Sequence, residues 1–274
     1  MVSPKTLVEG LSGMDVLDIG DGPTVLILHG YGLRPSTYRS TAQLLSQRCR
    51  VLVPSLFEGS GTWDPDRTLD AVVSLLGTLG VMEYSIIGHS FGGALGLRLV
   101  ARDAGPIREV IFADTLAACR EWRLAEEATH PTHFLRMASP RAALDFFHSW
   151  IAHPMRLMRA GLWAFTDDRG PEASIIAEHG ISAHVLWADR DSLLARQDGE
   201  AFAKDLNGTF TVAHSHAREP LDHNWMFRHP SLFVEHLDKL ELKAFRSRGS
   251  GLDVGQGRTH RRSNRFGQED CTIN

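Results

Sequence analysis

Short runs of aliphatic and β-branched residues alternate along this chain with stretches in which apolar residues return every three or four positions. Residues 15–19, 24–29, 50–54, 84–88, 109–113, 184–188 and 209–214 have the length and composition of strands. Residues 68–79, 92–101 and 230–242 carry the helical spacing, the last with Pro230 at its first turn. The first two strands bracket the turn Gly20-Asp21-Gly22-Pro23, which predicts a hairpin. Strands alternating with helices from residue 15 to residue 242 predict an α/β fold, with a mostly parallel central sheet flanked by helices. Between residues 115 and 180 the alternation stops and the pattern turns helical, as an inserted helical cap would read. The expected division is a core of residues 1–114 and 181–243 and a cap of residues 115–180.

Past residue 243 the pattern ends. Residues 244–274 hold six arginines against three acids among Gly, Ser, Gln and Asn, and are expected to be a disordered basic tail. The chain of 274 residues is 43% hydrophobic and 23% charged, with a net charge of −4. That balance excludes wholesale disorder and gives no general attraction to nucleic acid. No apolar run approaches the roughly 20 residues of a membrane-spanning helix. Residues 1–10 lack the charged, apolar and small-residue order of a secretory signal. Cys49, Cys119 and Cys271 are far apart and form no C-x-x-C pair, which argues for a reducing, cytoplasmic setting and against a disulfide framework or thiolate zinc site. A small-molecule substrate is the expected partner, and no feature fixes an oligomeric state.

The sharpest local signal is Gly88-His89-Ser90-Phe91-Gly92, directly after one predicted strand and before a helix. It fits G-x-S-x-G, the nucleophile elbow, in which a tight turn exposes the serine and small flanking residues let strand and helix approach. The unpaired N–H groups at the helix start favour developing negative charge. A second signal, His29-Gly30-Tyr31-Gly32, follows an early strand. With both motifs the chain resembles the α/β-hydrolase superfamily over residues 15–242. The resemblance implies that the backbone N–H groups of Tyr31 and Phe91 form an oxyanion hole. Ser90 stands where epoxide hydrolases and haloalkane dehalogenases of the superfamily carry an aspartate.

The family's acid follows a late strand in a pattern similar to W-G-x-x-D. This chain has Trp187-Ala188-Asp189-Arg190-Asp191, with alanine in place of the glycine. Asp191 falls at the acid position, and Asp189 is the neighbouring candidate. The histidine is expected before the last helix, where His223-Asn224-Trp225 stands, with His214 and His216 as the other candidates. Ser90, Asp191 and His223 follow the chain order of this fold. A His214, His216 and His223 metal site would lack a carboxylate or cysteine set at familiar spacing, so no metal or other cofactor is expected. After the strand at 50–54 the chain reads Pro54-Ser55-Leu56-Phe57-Glu58-Gly59-Ser60-Gly61, where the family often has P-D-x-R-G-x-G.

The resemblance implies a cap-bearing serine hydrolase that forms an acyl-enzyme on Ser90 and cleaves a carboxylic ester. Cleavage of a carbon–carbon or thioester bond by the same triad is one alternative, and a weakly catalytic small-molecule receptor is another. Trp122, Trp150 and Trp163 of the cap are expected to line a pocket that prefers small apolar acyl groups.

Overall fold

A computed structural model describes residues 8–9, 14–118, 139–215, 220–240 and 242 of the chain. Its strands are β1 (Val8–Glu9), β2 (Asp15–Ile19), β3 (Thr24–Leu28), β4 (Arg50–Pro54), β5 (Tyr84–His89), β6 (Ile107–Ala113), β7 (Ser182–Ala188) and β8 (Thr209–Ala213). They form one sheet in the order β1-β2-β4-β3-β5-β6-β7-β8. From β4 to β8 every pairing is parallel, and β1 and β2 join antiparallel at one edge. The central strand β3 is buried at all five positions, as a parallel strand covered on both faces requires. The α/β class read from the pattern is the class observed.

The predicted hairpin is corrected. β2 and β3 do not pair; β4 lies between them, with Ile19 opposite Val51 on one side and Thr24 opposite Arg50 on the other. The turn instead carries the chain past β4. Gly20 has φ +87°, and a Cβ there would run into the Cys49 carbonyl and Ser46. The Arg50 guanidinium closes this end of the sheet by donating to both Asp18 oxygens at 2.9 and 2.7 Å.

Helices α1 (Arg39–Leu45), α2 (Pro65–Thr78), α3 (Phe91–Arg102), α4 (Pro140–Ala152), α5 (Pro154–Thr166), α6 (Gly170–His179), α7 (Arg196–Asp205), α8 (Trp225–Arg228) and α9 (Pro230–Lys239) complete the described chain. Among the described residues no helix is long and apolar enough to cross a membrane. α2 starts where Asp64 accepts the Arg67 N–H and Pro65 takes the first helical position. It buries Leu69, Val72, Leu75 and Leu76, the three-and-four spacing seen in the sequence.

Among the described residues, the stretch expected as one cap divides in two. α6 packs against α3, where Arg98 of α3 reaches Glu172 at 3.2 Å and Asp66 of α2 at 2.9 Å, so α6 belongs to the layer flanking the sheet. α4 and α5 lie instead over the loops that follow β3 and β4. Ser36 and Thr37 donate to Asp145 of α4 at 2.6 and 2.7 Å. Arg156 of α5 donates to the carbonyls of Phe57 at 2.7 Å and Gly61 at 2.8 Å. Trp122, His216 and the tail at 244–274 lie outside the described residues.

Candidate active site

β5 runs into α3 through Ser90, whose φ of 52° and ψ of −119° put a non-glycine residue in strained backbone. Three hydrogen bonds hold it there. The Ser90 N–H donates to Ala113 at 3.1 Å, and its carbonyl accepts from Gly93 and Leu116, each at 3.0 Å. The glycines are dictated by crowding. A Cβ on Gly92 would collide with the Leu28 carbonyl, one on Gly93 with the Thr115 hydroxyl, and one on Gly88 with the Gly93 backbone at 2.6 Å.

Ser90 Oγ lies 2.9 Å from His223 Nε2, and His223 Nδ1 lies 2.8 Å from Asp191 Oδ2. An ionised carboxylate only accepts, so Nδ1 carries the proton and Nε2 is left to accept the Ser90 hydroxyl proton. The second Asp191 oxygen accepts the N–H groups of Leu193 and Leu194 at 2.8 and 2.9 Å, which fixes the carboxylate plane. Both side chains of the His223–Asp191 pair are almost wholly buried, at 4% and 1% exposure, so water does not compete for their contact.

The structure thus brings Ser90, Asp191 and His223 together, and it separates them from the other candidates. Asp189 accepts the Leu221 N–H at 2.8 Å, stapling the two loops that deliver Asp191 and His223. His214 is exposed and stands 3.5 Å from Asp189, away from Ser90.

The loop after β3 is held from several directions. The Gly30 carbonyl faces His29 Nδ1 at 3.0 Å and accepts the Leu33 N–H at 3.2 Å, while His29 Nε2 accepts the Leu56 N–H at 3.1 Å. Fixing that carbonyl fixes the Tyr31 N–H, which belongs to the same trans peptide and points the opposite way. Among the described residues neither the Tyr31 nor the Phe91 N–H has an acceptor. Burial pushes the His29 imidazole down to about 4, so it is neutral near pH 7.

A cavity of about 150 Å³ opens beside Ser90. Gly30, Tyr31, Leu33, His89, Leu193, His223 and Asn224 line it from the core, and Ala142, Ala143 and Phe146 line it from α4. The expectation for Trp150 and Trp163 is corrected here, because neither lines this cavity. Trp163 stacks behind the wall on Trp63 and Phe91, at ring separations of 5.6 and 5.5 Å, and Trp150 packs on Tyr31 and Phe146. An indole finds more apolar contact among other aromatic rings than on a small cavity's surface, and Phe146 takes the lining position instead.

Sequence reasoning passed over Asp114. This wholly buried residue follows β6 with φ 42°. Its oxygens accept from the Ala188 N–H at 2.7 Å and the Trp225 indole N–H at 2.6 Å. Burial, and after it the neighbouring Asp191 charge, hold its pKa well above the ordinary carboxylate range. An acid at the carboxyl end of a parallel strand was the available signal.

A family model described as the alpha/beta hydrolase family matches residues 25–236. Over 98 residues the chain is 30% identical to a pimeloyl-[acyl-carrier protein] methyl ester esterase of Chromobacterium violaceum, covering 35% of this chain and 39% of that protein. Over 104 residues it is 28% identical to a 2-hydroxymuconate semialdehyde hydrolase of Pseudomonas putida, covering 35% and 37%. The matched stretches therefore span well under two thirds of these relatives' lengths. A thermophilic esterase structure from Thermogutta terrifontis superposes with a TM-score of 0.67 at 16% identity, covering 85% of this chain and 94% of the other, a likeness of fold.

Proposed function

The chain belongs to the alpha/beta hydrolase family, and from that premise we propose that it is a serine hydrolase that cleaves small apolar carboxylic esters. The observation that carries this reading is the unbroken Ser90, His223, Asp191 hydrogen-bond chain at the mouth of a cavity. Residues of α4 and α5 act as the cap, over a core made by the sheet and its remaining helices.

The ester carbonyl carbon is placed against Ser90 Oγ. As the hydroxyl attacks, its proton passes to His223 Nε2, and Asp191 stabilises the imidazolium without taking the proton. The carbonyl oxygen becomes an alkoxide and meets the N–H groups of Tyr31 and Phe91. Each such donor contributes roughly 3 kcal/mol where water is excluded. Collapse expels the alcohol, which leaves with the proton held on His223. Water then enters, gives a proton to His223 as it attacks the acyl carbon, and a second collapse frees the acid and returns the proton to Ser90. No metal or cofactor takes part in these steps.

The cavity argues for a short neutral acyl group. Its volume is that of an apolar cavity able to take up benzene. Among the described residues its lining holds Leu33, Ala142, Ala143, Phe146 and Leu193 and no lysine or arginine that would pair with a carboxylate-bearing substrate. That favours ester hydrolysis over carbon–carbon cleavage of an acidic substrate. A p-nitrophenyl acyl series tests the reading: multiple turnover is expected on acetate through butyrate, falling for octanoate, and abolished by Ser90→Ala. Tight binding with no multiple turnover would make the protein a receptor, and activity surviving Ser90→Ala would overturn the mechanism.

A further inference from the structure

His89, the variable residue inside the elbow motif, is wholly buried and spends both ring nitrogens on the protein. Its Nε2 lies 3.0 Å from the His223 carbonyl and its Nδ1 lies 2.6 Å from the Tyr38 hydroxyl. Tyr38 ends the short 3-10 turn Pro35–Tyr38, and its hydroxyl oxygen accepts the Gly30 N–H at 3.0 Å. Neither nitrogen faces a carboxylate directly.

The proton positions in this series follow from what each partner can do. The His223 carbonyl only accepts, so His89 Nε2 must carry a proton and donate it. Nδ1 of the neutral ring is then an acceptor and takes the Tyr38 O–H. The Tyr38 oxygen keeps a lone pair for the Gly30 N–H. Every donor has an acceptor and the direction runs one way, from Gly30 through Tyr38 and His89 to His223. A doubly protonated His89 would present a second donor to Tyr38 and break the order. Burial, and after it the neighbouring His223, bring the His89 pKa down to about 3, which keeps the ring neutral. Gly30 suits the close approach: a Cβ there would stand 3.2 Å from the Leu33 side chain and 3.3 Å from His89 Nδ1, so these neighbours would have to give by a few tenths of an ångström.

We propose that Tyr38 and His89 are positioning residues that tie the oxyanion loop to the backbone of the base through this one hydrogen-bond chain. Gly30 precedes Tyr31, and the His223 carbonyl sits on the residue whose ring receives the Ser90 proton. The chain therefore sets the separation between the two parts of the site that must act on one tetrahedral intermediate. This rests on the acyl-transfer reading above. Displacements of about 1 Å in such a site cost on the order of 100-fold in rate, so a broken tie appears in the chemical step before it appears in binding.

The test uses the full chain, p-nitrophenyl butyrate and a fluorophosphonate probe. Tyr38→Phe removes one oxygen and two hydrogen bonds while keeping the ring. It is expected to lower kcat and the labelling rate of Ser90 at least about tenfold, with KM within about twofold. His89→Gln can still donate to His223 and accept from Tyr38, whereas His89→Leu fills the space and can do neither. The glutamine variant is expected to label at least about tenfold faster than the leucine variant, and this pair decides the matter if Tyr38→Phe does not fold. Wild-type rates in folded Tyr38→Phe, or equal rates in the two His89 variants, overturn the tie alone. A wild-type protein that is neither labelled at Ser90 nor active overturns the acyl-transfer reading and the tie with it.

Discussion

The indole N–H of Trp225 donates to the buried Asp114 carboxyl at 2.6 Å, joining the end of β6 to the segment that carries His223 two residues earlier. Asp114 also lies against Asp191, and its pKa is raised by burial first and by that second carboxyl next. Between the unfolded value near 3.8 and the higher folded value, the folded state holds a proton that the unfolded chain has lost. Its contribution to stability is full below the unfolded pKa and is lost as pH rises through the folded one. Asp114→Asn keeps the acceptor for Ala188 but turns a donor toward Trp225, a loss of about 1–3 kcal/mol. Thermal midpoints of wild type and variant are expected to differ most near pH 4 and to converge as pH rises. A gap that widens with pH would contradict the raised pKa.

Asp191→Asn removes the group that orients His223 and is expected to lower kcat by up to about 10⁴-fold with little change in folding. Asp189→Asn keeps an oxygen for the Leu221 N–H and leaves the His223 contact intact. Its kcat is expected within about threefold of wild type. Paired kinetics of the two variants check this, and the reverse order would move the acid to Asp189.

Phe146 lies on Gly32, where a Cβ would stand 2.6 Å from its ring, and it forms the cavity's α4 wall. Phe146→Ala is expected to shift the preferred acyl chain toward longer groups, since each methylene admitted to an apolar pocket carries roughly 1–3 kcal/mol of discrimination. Trp163→Ala should cost about 1–3 kcal/mol of stability and leave the chain-length profile unchanged, because its half-buried ring packs behind the wall. kcat/KM across an acyl series, with thermal midpoints, separates the two. A shifted profile for Trp163→Ala alone would put the tryptophan back in the pocket.

His29 and His89 are both neutral in the folded state, with pKa values brought down to about 4 and about 3 chiefly by burial. The unfolded chain protonates each near 6.5. Their contribution is complete above pH 6.5 and is lost as pH falls through about 4 for His29 and about 3 for His89, a loss on the order of a few kcal/mol. The thermal midpoint should drop over that range, and His89→Gln should make the drop shallower. An unchanged slope in that variant would show that His89 is charged in the fold.

The strands were legible because a parallel strand buried on both faces must be an apolar run, and the elbow because its small residues answer to contacts a few positions away. The separation of β2 from β3 was not, since the turn at Gly20 is compatible with a hairpin and only the non-local insertion of β4 decides against it. α7 escaped notice because its sequence buries little beyond Phe202 and Ala203, and its Gly199 is explained only by the Trp187 ring, 2.6 Å from where a Cβ would stand. Of the site, Ser90, Asp191 and His223 could be nominated by order and motif. Tyr38 and His89 could not: their hydroxyl-to-imidazole contact spans 51 positions and the His89 to His223 contact spans 134. The size of Trp150 and Trp163 announced burial but not which side of the cavity wall each would occupy.

The central claim is that Ser90 is a nucleophile activated by His223. Reaction of the intact protein with a fluorophosphonate, followed by peptide mass mapping, tests it most directly. One phosphonyl group on the peptide containing Ser90, absent from Ser90→Ala and slowed at least about 1,000-fold in His223→Ala, is the result expected. An adduct at another residue, or equal labelling of wild type and His223→Ala, would contradict it.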